Sequence, residues 1–431
     1  AAGADLSSNR PVTTTGEIRS ELDGVATIAG RGLAASTTLI RDVHQAIAQR
    51  VFRLTGPAAT PVRVMHQGLS SGVYAAVGGG LRVTSYTAGK LAGAVAAQRN
   101  PEDYVPLADR IRGNVVIGAL NGAWGDQLGE WQNPLALSMT IRAEGRDVPL
   151  DAASLDHAFP EASDDVVVFL HGLCETELSW WLGARGHHRN PRSSHGYRLM
   201  QAMGATPVYL RYNTGRHISD NGDDLAALLD RLVDLWPTAI SRLTLVGHSL
   251  GGLVIRSACA RGQEDDSDWV CRVRRIVYLG APHLGAPLEV AVARAGAAMR
   301  KLPETRPVAV ALASRSVGIK DLRYGDILAA DWSSIEDLDA WRAEPPGCAP
   351  LLTSAEHYYI GATLTREQNH LVARLIGDSL VTFPSASGSG RSRRLEFEID
   401  RGAHLGGLHH FDLLNHPRVW ELLERWLVTD D

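Results

Sequence analysis

The apolar positions of this chain change rhythm near residue 160. Before that point they recur at helical spacing. Ile18, Leu22, Val25 and Ile28 are followed by Ile40, Val43, Ile47 and Val51, which predicts helix from about Ile18 to Phe52. Gly56-Pro57 and Pro61 break the pattern. A second helical stretch, rich in Ala, Gly and Ser, is expected from about Val62 to Ala97 and closes at Asn100-Pro101. A third, shorter piece runs from Pro106 to Trp124. Residues 1–16 are polar and aperiodic, and read as a loosely attached start. Ser138 to Leu150 alternates around Glu144-Gly145, which predicts a hairpin.

Beyond that point short β-branched and leucine runs alternate with helical segments. The expected strands are Val166–Leu170, Pro207–Tyr212, Leu243–Val246, Arg275–Leu279 and His357–Ile360, with a sixth at Arg394–Ile399. The expected helices are His195–Met203, Gly222–Leu235, Gly251–Ala260 and Pro417–Leu427. Such alternation implies a mainly parallel sheet covered by helices on both faces. Between Pro287 and Ser354 it stops, over a span too long for an ordinary connection. That span is expected to be an inserted cap or lid, helical in part over Leu288–Lys301 and carrying Trp332 and Trp341. The division expected is a helical region at 1–130 and a catalytic domain at 131–431, with the cap at about 287–354. The small-residue helices of the first region suit packing, homo-oligomerisation or contact with a lipid or polymer surface.

Composition narrows the function classes. Across 431 residues, 45% are hydrophobic and 21% charged, as in a globular protein. A net charge of −5 leaves no global basic field, so no nucleic-acid partner is expected. The Arg391-Ser-Arg-Arg394 cluster lies beside a Gly/Ser stretch and reads as a solvated loop. No run of 18 apolar residues exists, so no transmembrane helix is expected. The start, Ala1-Ala-Gly-Ala, leaves the compartment open, with the cytoplasm slightly favoured over secretion. Four cysteines are widely spaced and form no metal motif. They read as free thiols, with a Cys259–Cys271 disulfide left open.

The chemistry concentrates at Gly247-His-Ser-Leu-Gly251. This G-x-S-x-G pentapeptide follows the Arg242–Val246 strand and precedes a helix, the context of a nucleophile elbow. Ser249 is the candidate nucleophile. A serine hydroxyl needs a base to take its proton, a group to orient that base and donors for the oxyanion. The base is expected on the loop after the last strand, which holds His404, His409, His410 and His416. His410 is chosen, with His409 as the fallback, and His416 fits a helix cap before Pro417. Asp412 is expected to hold the loop. A zinc site in this histidine-rich segment is not expected, since no cysteine or paired carboxylate accompanies it at ligand spacing. One oxyanion donor is the N–H of Leu250 at the helix start, and the other the N–H of Leu173 after His171-Gly172. Cys174 reads as a loop thiol. Trp180-Trp181 could floor the site or pack in the core.

Val246-Gly-His-Ser-Leu-Gly-Gly252 and Gly280-Ala-Pro-His-Leu-Gly-Ala-Pro287 together resemble the lipase/esterase branch of the α/β-hydrolases. That branch includes bacterial triacylglycerol lipases and the glycosylphosphatidylinositol deacylase group. His410-x-Asp-Leu before a terminal helix is how many lipases present the catalytic histidine. Leu375-Ile-Gly-Asp-Ser-Leu-Val381 resembles the turn that carries the acid in bacterial lipases, which points to Asp378, though Ser379 stands where that pattern has glycine. The chain order Ser249, Asp378, His410 is that of the α/β-hydrolases. The resemblance covers residues of about 160–431. It implies an α/β-hydrolase fold, ester hydrolysis through an acyl-enzyme, no cofactor and no metal. It also implies a small-molecule or lipid ester as substrate, with His171, Gly172, His248, His283 and Leu284 lining its pocket. Acyl transfer, thioester or amide hydrolysis, and a non-catalytic binding role on the same scaffold remain as alternatives.

Overall fold

A computed structural model describes residues 14–55, 87, 106–107, 110–286, 314–338, 340, 342, 349–368, 377–390 and 393–429. The expected helix at Val62–Ala97 lies almost wholly outside the described residues. The chain divides into two compact units. One comprises Ala1–Gly113, Gln132–Leu135 and Arg294–Ser314; the other comprises Asn114–Trp131, Ala136–Ala293 and Arg315–Asp431.

In the first unit the N-terminal periodicity forms one long helix, α1 (Thr15–Thr55). Thr14 Oγ1 accepts from the Glu17 N–H at 3.2 Å, and Glu17 accepts from the Thr14 N–H at 2.7 Å. That reciprocal pair is a capping box and fixes where the helix begins. Helix α2 (Ile111–Glu130) follows, with a kink at Trp124. From Asn114 onward it belongs to the second unit.

The second unit is built on one sheet. Its strands are β1 (Thr140–Ala143), β2 (Arg146–Val148), β3 (Asp165–Leu170), β4 (Thr206–Arg211), β5 (Arg242–His248), β6 (Val273–Leu279), β7 (Glu356–Thr363) and β8 (Gly402–Gly406). They lie in the order β2-β1-β4-β3-β5-β6-β7-β8. The hairpin β1–β2 is antiparallel and joins β4 antiparallel; every other pair is parallel. The intervening helices are α3 (His195–Met203), α4 (Ile218–Leu235), α5 (Leu250–Glu264) and α6 (Pro417–Leu427). Alternation along β3 shows why both faces are covered. Val166, Val168 and Leu170 join one core with Leu225 and Leu229 of α4 and Leu253 of α5. Val167 and Phe169 point the other way, into a second core with Leu199 of α3 and Trp420 and Leu423 of α6. This is the α/β-hydrolase fold. No helix among the described residues is long and apolar enough to cross a membrane.

One expectation needs correction. The last strand is Gly402–Gly406, not Arg394–Ile399. Apolar alternation at Leu395–Ile399 suggested a strand, but Ile399 is fully exposed and Arg394 makes only an isolated bridge with Ser389. Pairing with β7 falls to the glycine-bounded segment because Gly402 lies under Tyr359, where a Cβ would meet the ring at 2.2 Å. His404 therefore sits in a strand, 2.8 Å from Thr363 Oγ1. Cys259 and Cys271 are both free thiols, so the disulfide left open between them is not formed.

Of the span expected as a cap, residues 315–338 are part of the second unit. Asp321 accepts from the Ile218 N–H at 2.9 Å and lies 3.0 Å from His217 Nδ1. Leu322 and Ile327 are buried in the same core as α4 and α5. Residues 287–313, including the expected helix at Leu288–Lys301, lie outside the described residues.

Candidate active site

β5 runs out into Ser249, whose backbone stands at φ 52°, ψ −121°. That region is unfavourable for any residue with a side chain. The neighbouring glycines make the turn feasible. A Cβ on Gly247 would meet Gly252 N at 2.5 Å, and one on Gly251 would meet Leu170 O at 2.5 Å. The Ser249 N–H donates to Leu279 O at 2.8 Å, which anchors the strained residue to β6.

The candidate acid and base, Asp378 and His410, are in contact. His410 Nδ1 lies 2.7 Å from Asp378 Oδ2, and the His410 N–H donates to Asp378 O at 2.9 Å. Both side chains are buried. The other carboxylate oxygen, Oδ1, accepts from the N–H groups of Leu380 (3.1 Å) and Val381 (2.9 Å). With both oxygens held, the carboxylate fixes the imidazole with Nδ1 toward it. His410 Nε2 has no hydrogen-bond partner among the described residues. Ser379 adopts φ 96°, so the position where glycine is expected does demand a glycine-like backbone.

The histidines around the base are sorted by their contacts. His409 lies 3.2 Å from Asp412 and is half-exposed, and Asp412 accepts from the His409 N–H at 2.9 Å. His416 caps α6, accepting from the Arg418 N–H at 3.2 Å. Asp412 thus holds the loop, as expected.

The early loop His171–Glu175 follows β3. The Gly172 Cα lies against the nucleophile: a Cβ there would meet Ser249 Cβ at 3.1 Å and His248 Nδ1 at 3.0 Å. Leu173 N–H donates to no described residue, and Leu250 N–H stands at the first turn of α5, ahead of the intrahelical ladder. His171 is buried, with Nδ1 3.0 Å from Gly172 O and Nε2 accepting from the Tyr212 N–H at 3.3 Å. Burial pushes its pKa down, which keeps the ring neutral and suits that acceptor role. The Tyr212 hydroxyl donates to His171 O at 2.6 Å. Cys174, at φ 61°, has a thiol raised by burial and by Glu175. Trp180 is fully buried, edge-on to Phe169 with ring centres 4.9 Å apart, and belongs to the core. His283 is also fully buried, edge-on to Tyr278, and burial pushes it well below the usual histidine range. Leu284 is half-buried and its N–H donates to Ser385 Oγ at 3.1 Å.

Glu175 is a member of this constellation that motif reading missed. Its Oε2 accepts from the Gly172 N–H at 2.8 Å, and its Oε1 lies 3.1 Å from His248 Nδ1. Burial alone would raise this carboxyl, but the adjacent His248 and the Gly172 N–H bring it down to about 2. The signal available in the sequence was an acidic residue in an otherwise apolar and small loop, four positions after His171. No group of three or more His, Cys, Asp or Glu side chains suited to a metal ion occurs among the described residues.

Residues 160–325 match the family described as "Putative serine esterase (DUF676)". The matched span includes the early loop, the elbow and the Gly280–Pro287 segment, and ends before Asp378 and His410. No curated protein matches the chain. Among solved structures, a Bacillus licheniformis lipase in its mature form is similar over 67% of this chain and 96% of its own, at 16% identity and a TM-score of 0.39. Aspergillus fumigatus lipase B is similar over 70% of this chain and 58% of its own, at 15% identity and 0.39. An esterase from Pyrococcus furiosus is similar over 62% and 83%, at 16% identity and 0.31.

Proposed function

We propose that this protein is a serine carboxylester hydrolase that cleaves esters of apolar acyl groups through an acyl-enzyme on Ser249. The reading is supported by a strained serine at the end of β5, together with a His410 that is held by Asp378 and whose Nε2 has no hydrogen-bond partner among the described residues. The serine esterase family match over 160–325 supports the same class of chemistry.

Ser249 Oγ attacks the ester carbonyl carbon while His410 Nε2 takes its proton. Asp378 steadies the imidazolium that forms. The N–H groups of Leu173 and Leu250 hold the oxyanion, each contributing a factor of about 10²–10³ in turnover. The tetrahedral centre collapses as His410 gives its proton to the leaving alkoxide. His410 then takes a proton from water, whose oxygen attacks the acyl carbon and releases the acid and free Ser249. The route uses protein groups and water alone. His171 and Gly172 shape the oxyanion loop, and the described part of the 287–354 insertion serves as a fixed wall beside α4.

The test is hydrolysis of p-nitrophenyl esters from acetyl to palmitoyl, wild type against Ser249→Ala, with and without a lipid interface and with a competing alcohol. Activity lost in the variant is the expected result. Long-chain preference boosted by the interface assigns a lipase, and short-chain activity without the boost assigns an esterase. Acyl groups passed mainly to the alcohol would make the protein an acyltransferase. Equal inertness of both proteins on every chain would overturn the proposal.

A further inference from the structure

His248 stands between the two loops that the reaction needs. It is the residue immediately before Ser249 and is fully buried. Its Nδ1 lies 3.2 Å and 3.1 Å from the two carboxylate oxygens of Glu175, on the oxyanion loop. Its Nε2 lies 3.3 Å from the backbone carbonyl oxygen of His410, on the base loop. A carboxylate and a carbonyl only accept hydrogen bonds. A neutral imidazole has one N–H and could satisfy just one of them; an imidazolium satisfies both. Glu175 also accepts from the Gly172 N–H at 2.8 Å, so the chain of contacts runs from the oxyanion loop through His248 to the base.

We propose that His248 is a buried imidazolium, paired with Glu175, that ties the oxyanion loop to the base loop, and that its loss of a proton sets the alkaline edge of activity. This rests on the ester-hydrolase reading for its kinetic consequence, but not for the protonation state. Both residues act by positioning, since neither needs to touch the reacting atoms.

The ionisable groups that face the ring come from three elements. Glu175 is on the oxyanion loop, His410 on the base loop with its ring centre 4.7 Å away, and Asp378 on the acid turn. Behind Glu175 stand His171 and Tyr212, both buried. Burial would lower the His248 pKa, but the Glu175 charge, its hydrogen bond and the His410 carbonyl raise it above the usual value. A raised folded value means the tie is intact on the acid side and is lost as pH rises through that value. The pair is also close to neutral as a unit. That matters because His410 becomes a cation during turnover, and an unpaired His248 cation would oppose it.

The experiment combines spectroscopy with kinetics. Histidine is labelled with ¹⁵N in Ser249→Ala, which traps no acyl group, and the ring resonances are followed with pH. The expected result is one ring with both nitrogens protonated above the usual histidine range, absent in the added variant His248→Asn. In Glu175→Gln that ring turns neutral near pH 7. The alkaline edge of kcat then moves down by about one pH unit or more, and kcat falls about tenfold with little change in KM, the mark of a misplaced catalytic group. A neutral His248 in the spectrum at pH 7 overturns the proposal, whether or not Glu175→Gln folds. An unmoved alkaline edge in a folded Glu175→Gln overturns the kinetic half. The spectrum needs no turnover, so failure of the ester assay and failure of the imidazolium are told apart.

Discussion

Substituting Gly122→Ala perturbs the site from behind. Gly122 lies on α2, on a face with Gly118 and Gly125 that presses against the second unit's loops. A Cβ added at Gly122 would stand 2.2 Å from Cys174 Sγ, 2.8 Å from Cys174 Cα and 2.9 Å from Cys174 N. Ordinary contact begins at 3.4 Å. The thiol can turn away, but the backbone of Cys174 must retreat by about half an ångström, because close-packed interiors leave no slack there. Leu173, the proposed oxyanion donor, is the preceding residue. Misplacement on that scale next to a donor aimed at the oxyanion is expected to lower kcat by about 10–100-fold. Overpacking costs about 1–3 kcal/mol, less the roughly 1 kcal/mol that alanine gains over glycine within a helix. The assay is kcat and KM on a short-chain p-nitrophenyl ester, with urea unfolding alongside. Gly129→Ala is the control, since nothing lies within 4 Å of its added methyl; it should gain stability and keep full activity. Cys174→Ala in the Gly122→Ala background should rescue only part of the loss, because Cα and N still obstruct. Wild-type kcat and stability in Gly122→Ala would refute the reasoning.

Other outcomes follow from the same geometry. Asp378→Asn should lower kcat by about four orders of magnitude with the fold intact by circular dichroism, the scale seen when the orienting charge behind a catalytic histidine is removed; a loss under tenfold would displace Asp378 from that role. Ser379→Gly relieves a residue at φ 96° and should raise stability by about 1 kcal/mol in urea titrations; a loss of stability would mean the serine side chain is needed there. Acidification from pH 6.5 toward 4.5 should weaken the fold. Burial holds His195 at about 3, His357 at about 4 and His283 well below the usual range, so each binds a proton only on unfolding, while Asp326, raised by burial to about 7, does the reverse and offsets one of them. For these four groups the net difference of about two protons gives a slope of up to about 2.7 kcal/mol per pH unit, and His171, also lowered by burial, adds in the same direction; unfolding free energies that stay level between pH 7 and 5 would contradict it. Removing residues 1–130 takes away α2 and the bonds it receives from Asn213, Ser316 and Val317, so the truncated chain should lose activity and cooperative unfolding together; an active product would show that α2 is dispensable.

The fold was legible wherever burial on both faces forces an apolar run. Val166–Leu170 and Leu243–Val246 have no polar face to confuse the period, and the helices between them cap or end at ordinary signals, such as Ser194 before α3 and Pro417 in α6. The sheet edge was not legible. β8 is Gly-Ala-His-Leu-Gly, with no β-branched residue, and it pairs because its small residues fit under Tyr359. Propensity pointed instead to Leu395–Ile399, where the alternation exists but Ile399 faces solvent. The contact that decides between them comes from β7, more than forty positions earlier, and no local window contains it.

For the site, the legible part is what local backbone geometry demands. The elbow needs its glycines within five residues of the serine, and the candidate acid Asp378 sits in a turn whose N–H groups hold Oδ1, so both leave short motifs. Glu175 leaves none, because its partners are Gly172 nearby and His248 far along the chain. The glycine face of α2 leaves no local signature for a similar reason. Gly118, Gly122 and Gly125 lower the helical signal and look like weak helix, yet each stands where a side chain would enter the loop carrying Cys174 and Glu175 or the one carrying Asn213. Composition placed α2 with the N-terminal helices; close approach places it with the sheet. A glycine within a helix costs about 1 kcal/mol against alanine. Two of them against the loop carrying Cys174 and Glu175, and a third against Asn213, are therefore evidence that these loops come closer to α2 than any side chain allows.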